Sequence, residues 1–183
     1  MPSIAYSTVL QEINELQQRI DALRVSLREE IAAEEIPSGT FPLLACRTDR
    51  ETVALLLRDV EEVLPMCRTT PVPDAPKWLI GLLNVSGEMV PVLDLNARIA
   101  GVPHPPSVDD FIVLCRVGEE RVGLIVTEVL GVYEKQRGDL QPVTDRITAS
   151  RHLLGVSEIE GRPLLLLSLT QIFSTAEILE EES

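Results

Sequence analysis

Aromatic side chains are scarce in this 183-residue chain. Phe, Trp and Tyr together make 3% of it, with Trp78 the single tryptophan. With 45% hydrophobic residues, a core is still available, but Val, Leu and Ile have to build it. Basic residues are also few: 16 Lys and Arg against 29 Asp and Glu give a net charge of −13. That balance excludes nucleic acid, whose phosphates need a basic surface, and an anionic membrane face. It suits a partner that presents Arg or Lys. No apolar run reaches the ~18 residues needed to span a bilayer. The N-terminus lacks the apolar core of a secretion signal, so a cytosolic location is expected. Cys46, Cys67 and Cys115 are odd in number and lack C-x-x-C spacing. Cys46 and Cys115 sit among strand-like residues and read as small buried hydrophobes in a reducing compartment. His104 and His152 have no metal-ligand spacing, and no metal or cofactor is expected. Phosphate-cradling glycine loops, H-E-x-x-H and G-x-S-x-G are missing, and neither histidine stands near a nucleophile in a triad-like pattern. No catalytic residue is assigned.

What is present centres on Trp78 to Leu95, WLIGLLNVSGEMVPVLDL. Two apolar arms flank a Ser86-Gly87 turn, a hairpin signal in which Gly87 can take positive φ without steric cost. The arms are almost continuously apolar, which predicts a hairpin covered on both faces and central to the fold.

These residues carry a resemblance. The pattern Gly81, Asn84, Gly87, Pro91, Val92, Asp94, Leu95 resembles the signature of the CheW-like domain of bacterial chemotaxis. The likeness covers roughly Gly39 to Ser174. The family usually carries arginine between Val85 and Gly87, where this chain has Ser86. After Leu95 the family favours arginine, and this chain has Asn96. Arg98, nearby in sequence, is a candidate to compensate.

Residues 1–36 read as an N-terminal amphipathic helix, over Ser7 to about Ala33, with Thr8 and Gln11 as a capping box. Tyr6, Val9, Ile13, Leu16, Ile20, Leu23 and Leu27 recur at alternating steps of three and four. That is the a/d pattern of a coiled coil, which predicts self-association or a partner helix; local packing on its own domain is the alternative. Residues 37–41 form a linker, with Pro37 and Gly39 breaking the helix. A domain over 42–176 and an acidic tail over 177–183 complete the chain.

Within that domain, strands are expected at Pro42–Arg47, Glu51–Leu57, Phe111–Val117, Arg121–Val126, Val129–Tyr133, Leu153–Ile159 and Pro163–Leu169. Tight turns at Gly118-Glu119 and Glu160-Gly161 join four of them. Asn96–Ala100 reads as one helical turn ended by Gly101, and Thr170–Leu179 as a closing helix. His104, in the loop VPHPP, is expected to meet solvent, and Asp109-Asp110 to be a solvating charge pair. Many short strands with little helix mean a mainly β fold, a sandwich or small barrels. The resemblance implies the second: two small SH3-like five-stranded β-barrels sharing a core.

Val60, Glu62 and Val63 match the family's V-x-E-[VI] segment. On a regular strand Val60 and Glu62 would share an exposed face, and Val63 would point inward. Adjacent Glu61 and Glu62 would then point apart, which argues against a paired acid/base site. The alternative for the acidic pair is a charged edge that blocks aggregation. The resemblance implies instead a partner-docking surface comprising Val60, Glu62, Val63, Gly81, Asn84, Ser86 and Gly87. For the glycines and Asn84 the alternative is turn geometry, and for Val63 core packing. By the same resemblance the chain is a non-enzymatic adaptor. Its implied partners are the regulatory domain of a sensor histidine kinase and the cytoplasmic tip of a chemoreceptor. An assembly protein led by its coiled coil, or an adaptor of a non-swimming pathway, is the competing expectation.

Overall fold

A computed structural model describes residues 3–143 and 150–173. The chain divides into two compact units, Met1–Ile36 and Pro37–Ser183. The first is a single helix, α1 (Ser3–Glu35). It begins ahead of Thr8, which is therefore inside the helix and not its cap. No helix among the described residues is long and apolar enough to cross a membrane.

The second unit is mainly β. Its strands are β1 (Thr40–Arg47), β2 (Thr52–Leu56), β3 (Val60–Pro65), β4 (Leu79–Val85), β5 (Glu88–Asp94), β6 (Phe111–Val117), β7 (Glu120–Val126), β8 (Glu128–Gln136), β9 (Leu153–Ile159) and β10 (Arg162–Leu167). Two short helices, α2 (Leu95–Ala100) and α3 (Leu169–Ile172), follow β5 and β10. The expected closing helix is seen only in α3; the rest of it and the acidic tail lie outside the described residues.

The strands form two five-stranded sheets, in the orders β8-β1-β2-β10-β9 and β3-β6-β7-β5-β4. Each is closed by one bridge. Beyond β3, Thr70 N–H donates to Leu82 O (2.7 Å) and Thr70 O accepts from Leu82 N–H (2.8 Å). Beyond β8, Gln141 exchanges the same pair of bonds with Val156 (2.7 and 3.0 Å). Closure of this kind leaves few open strand edges.

The two barrels are interchanged halves of an internal repeat. Strands β1–β5 and then α2 correspond in order to β6–β10 and then α3. In each half the first two strands join one sheet and the last three the other. The matches are local as well. The turns Ser86-Gly87 and Glu160-Gly161 all have positive φ. Asp94 caps α2 by accepting from Ala97 N–H, and Ser168 caps α3 by accepting from Gln171 N–H. Bulges interrupt β3 against β6 and β8 against β1 at matching places, beside Cys115 and Cys46.

Exchange of strands makes one core. A single cluster takes Cys46, Val53 and Leu55 from one sheet and Val113, Cys115 and Leu124 from the other, with Leu95 and Ile172 from the helices. A second cluster, built on Leu83, Val90, Ile112 and Leu114, fills the interior of the β3-to-β4 barrel. Both buried cysteines are free, as expected, and Cys67 is exposed.

The 78–95 hairpin is not central. β4 is the outer strand of its sheet and β7 the middle one. The continuous apolar character of β4 comes from barrel closure. One side of it packs inward through Leu83, and the Thr70 bridge covers its outer edge.

Candidate functional site

β3 is an edge strand with one residue too many. Val60 pairs with Cys115 and Glu62 with Leu114, so Glu61 is the bulged residue between them. Residues paired across strands share a face, and an extra residue shifts the alternation beyond it by one. Val60 and Val63 therefore stand on the Cys115 and Val113 side, while Glu62 and Leu64 stand on the Leu114 and Ile112 side. This corrects the face assignment made from spacing alone. Val60 is half-buried against the shared core, and Val63, expected to point inward, is 37% exposed. The strand presents an exposed valine next to an exposed carboxylate, but on opposite faces of the edge.

The two glutamates differ sharply. Glu61 accepts from Arg116 Nε (2.8 Å) and Arg121 Nε (2.7 Å), and Arg121 Nη1 continues to Glu88 (3.1 Å). Four neighbouring strands thus contribute to one row along an end of the sheet, two central arginines flanked by Glu61 and Glu88. The hydrogen bond from Arg121, aided by Arg116, holds the Glu61 carboxyl below its ordinary pKa. Glu62 makes no ion pair among the described residues and is exposed. The row brings the β3 segment and the tip of the β4–β5 hairpin onto one rim, which nothing local in the sequence signals.

At that tip Asn84 Oδ1 accepts from Gly87 N–H (2.9 Å), and Ser86 and Gly87 have φ of 53° and 91°. Two consecutive positive φ angles define the tight primed hairpin turn, and Asn84 locks its entry. Ser86 is exposed. Gly81 has another role: a Cβ there would lie 2.5 Å from Thr70 O. Its missing side chain is what allows the closing bridge to form. Arg98 does not substitute for an arginine at the turn. It lies over Trp78, 5.1 Å from the ring centroid, and its Nε donates to Ile172 O (2.9 Å). The guanidinium by the turn is that of Arg121, through Glu88.

The loop after α2 departs most from expectation. His104 does not simply meet solvent; its side chain is 14% exposed and lies between two carboxylates. Nδ1 is 2.7 Å from Asp49 and Nε2 is 2.8 Å from Asp110. Asp110 is buried and also accepts from Ser107 N–H (2.6 Å), so it organises the loop and does not solvate a strand end. Asp94, besides capping α2, accepts from His104 N–H (2.6 Å). Buried Asn96, at the second position where the family favours arginine, donates to Val102 O (2.7 Å). The cluster joins the β1–β2 turn of one sheet to the loop that enters β6 of the other. Partial burial pulls the His104 pKa down, and the two aspartates outweigh it, leaving the pKa raised.

No group of three or more metal-ligating side chains is found among the described residues.

Comparison with known proteins gives one consistent outcome. Residues 42–177 match the CheW-like domain family. The chain is 29% identical over 148 residues to chemotaxis protein CheW of Rhizobium meliloti, covering 80% of this chain and 96% of that protein. It is 31% identical over 128 residues to protein FrzA of Myxococcus xanthus, covering 64% of this chain and 76% of that protein. The crystal structure of scaffolding protein TtCheW from Thermoanaerobacter tengcongensis superposes with a TM-score of 0.67 at 23% identity, covering 74% and 93% of the two chains. That superposition bears on the fold, two SH3-like barrels.

Proposed function

The chain belongs to the CheW-like domain family, and from that premise we propose that it couples chemoreceptors to a CheA-type sensor histidine kinase as a non-enzymatic scaffold in the cytoplasm. The kinase's regulatory domain docks on the β3 edge, at Glu62 and Val63, with Val60 packed on the core behind them. The receptor tip engages the rim that runs to Asn84, Ser86 and Gly87, and buried Gly81 serves that hairpin by letting the Thr70 bridge close over it. The observation that carries this reading is the contrast on β3. Glu61 is neutralised by two arginines of its own chain, whereas its neighbour Glu62 is exposed, makes no ion pair among the described residues and stands next to exposed Val63. An apolar contact with a charged margin is the usual anatomy of a specific interface. With the chain at −13, a partner's Arg or Lys is the complement.

Glu62→Lys tests it. The variant should melt like the wild type, because an exposed charge swap changes stability by less than about 0.5 kcal/mol. Calorimetric affinity for the kinase regulatory domain should fall about tenfold, or ~1.4 kcal/mol. Unchanged affinity for both kinase and receptor would remove β3 as the docking edge. Stoichiometric autophosphorylation of the purified protein with ATP would remove the scaffold reading altogether.

A further inference from the structure

Helix α1 leaves a seam of large aliphatic side chains in water. Ile13, Leu16, Ile20, Leu23 and Leu27 are 43–70% exposed along its 33 residues. Helices draw most of their stability from packing an apolar face, so a helix of this length with its seam open is an incomplete structure.

The seam also specifies what covers it. Its steps of three and four are the heptad repeat, with Ile13, Ile20 and Leu27 at a and Leu16 and Leu23 at d. A helix that packs on a globular surface shows a wider stripe, with apolar residues at e or g as well. Here Gln17 at e, and Arg19 and Ser26 at g, are polar and exposed. Between Ile13 and Leu27 the face is therefore narrow, the width of one other helix, and apolar Leu10 and Ile31 at e widen it only outside that stretch. Among parallel coiled coils, isoleucine at a with leucine at d favours two strands over three or four. A parallel, in-register copy of the same helix sets Ile13 against Ile13, Leu16 against Leu16, and so on as far as Leu27, beyond which the seam ends at Glu30 and Glu34.

We propose that α1 pairs with α1 of a second copy of this chain in a parallel two-stranded coiled coil. Parallel pairing brings both helix C-termini together at Glu35, so two CheW-like bodies leave the coil at the same end. The protein is then bivalent. Once one body docks, the second meets its site at an effective concentration in the millimolar range for a short flexible connection. Pairing itself is independent of the adaptor reading; only the use made of bivalence rests on it.

Sedimentation equilibrium of the full chain tests the pairing. The wild type should be a dimer. Leu16→Asp with Leu23→Asp should be a monomer whose body melts at the wild-type temperature. In a Cys67→Ser background, Ile13→Cys should cross-link to itself under mild oxidation, because only a parallel pair brings position 13 near its own copy. A monomeric wild type overturns the proposal and leaves the seam to a helix of another protein. A dimer that survives both aspartates overturns it by placing the contact on the body. A dimer that fails to cross-link at position 13 overturns the parallel arrangement.

Discussion

Val63 stands on the same face of β3 as Val60, although three residues separate them, because Glu61 is bulged between Val60 and Glu62. The bulge sets one valine against the core and leaves the other in reach of a partner. Val60→Lys should therefore destabilise the body by about 2 kcal/mol or more, since it forces a charge against apolar neighbours. Val63→Lys should melt within about 0.5 kcal/mol of the wild type and yet lose affinity for the kinase regulatory domain. Thermal melts and calorimetric titrations of both variants separate the two roles. The reverse result would mean that β3 alternates regularly in solution.

The two motif glycines should respond differently to alanine. Gly81→Ala pushes a Cβ to 2.5 Å from the Thr70 carbonyl, against backbone that closes the barrel. A loss of about 2–3 kcal/mol is expected in denaturant titration. Gly87→Ala meets no atom within 4 Å, and its cost is the positive φ of 91° alone, about 1 kcal/mol. Equal effects would argue against a close-approach role for Gly81.

Two groups should give pH dependences of opposite sign. His104 has a raised pKa in the fold, so the stability it contributes is fully present below its unfolded pKa. That contribution is lost as pH rises through the folded value. His104→Gln should therefore lower the melting temperature most in mildly acidic buffer and least in alkaline buffer. A loss of about 1–2 kcal/mol is expected at the acidic end, typical of charge-assisted hydrogen bonds. Glu61 has a lowered pKa, so its contribution is present above the unfolded value and disappears as pH falls through the folded one. Glu61→Gln should matter at neutral pH and become silent in acid. Melting curves of the two variants across pH check both signs.

Thiol labelling should find one reactive cysteine in the native protein and three after denaturation. Cys67 is exposed, whereas Cys46 and Cys115 are buried in the shared core. Burial pushes the Cys46 thiol up to about 12 and raises Cys115 as well, so neither forms the thiolate that attacks a reagent. Fast labelling of a second cysteine would mean that the core opens readily.

Local chemistry alone determined a good part of this protein. Paired turn residues located the hairpins at Ser86-Gly87, Gly118-Glu119 and Glu160-Gly161. Gly101 ended α2, and apolar runs identified Cys46 and Cys115 as core. Such signals act over a few residues, because φ preference, capping and alternation are properties of neighbours. The motif around Gly81–Leu95 added the fold class. Tertiary structure decided what depends on residues far apart in the chain. The bulge at Glu61 is fixed by pairing with β6, so it reversed a face that strict alternation assigned otherwise. Gly81 owes its identity to Thr70 across a closing bridge. His104 has proline neighbours in sequence that read as a loop, and is enclosed because Asp49 arrives from the other sheet. The exchange of strands between the two halves leaves almost no trace in sequence. What each half must preserve is a burial pattern and two tight turns, and many apolar residues satisfy those equally well.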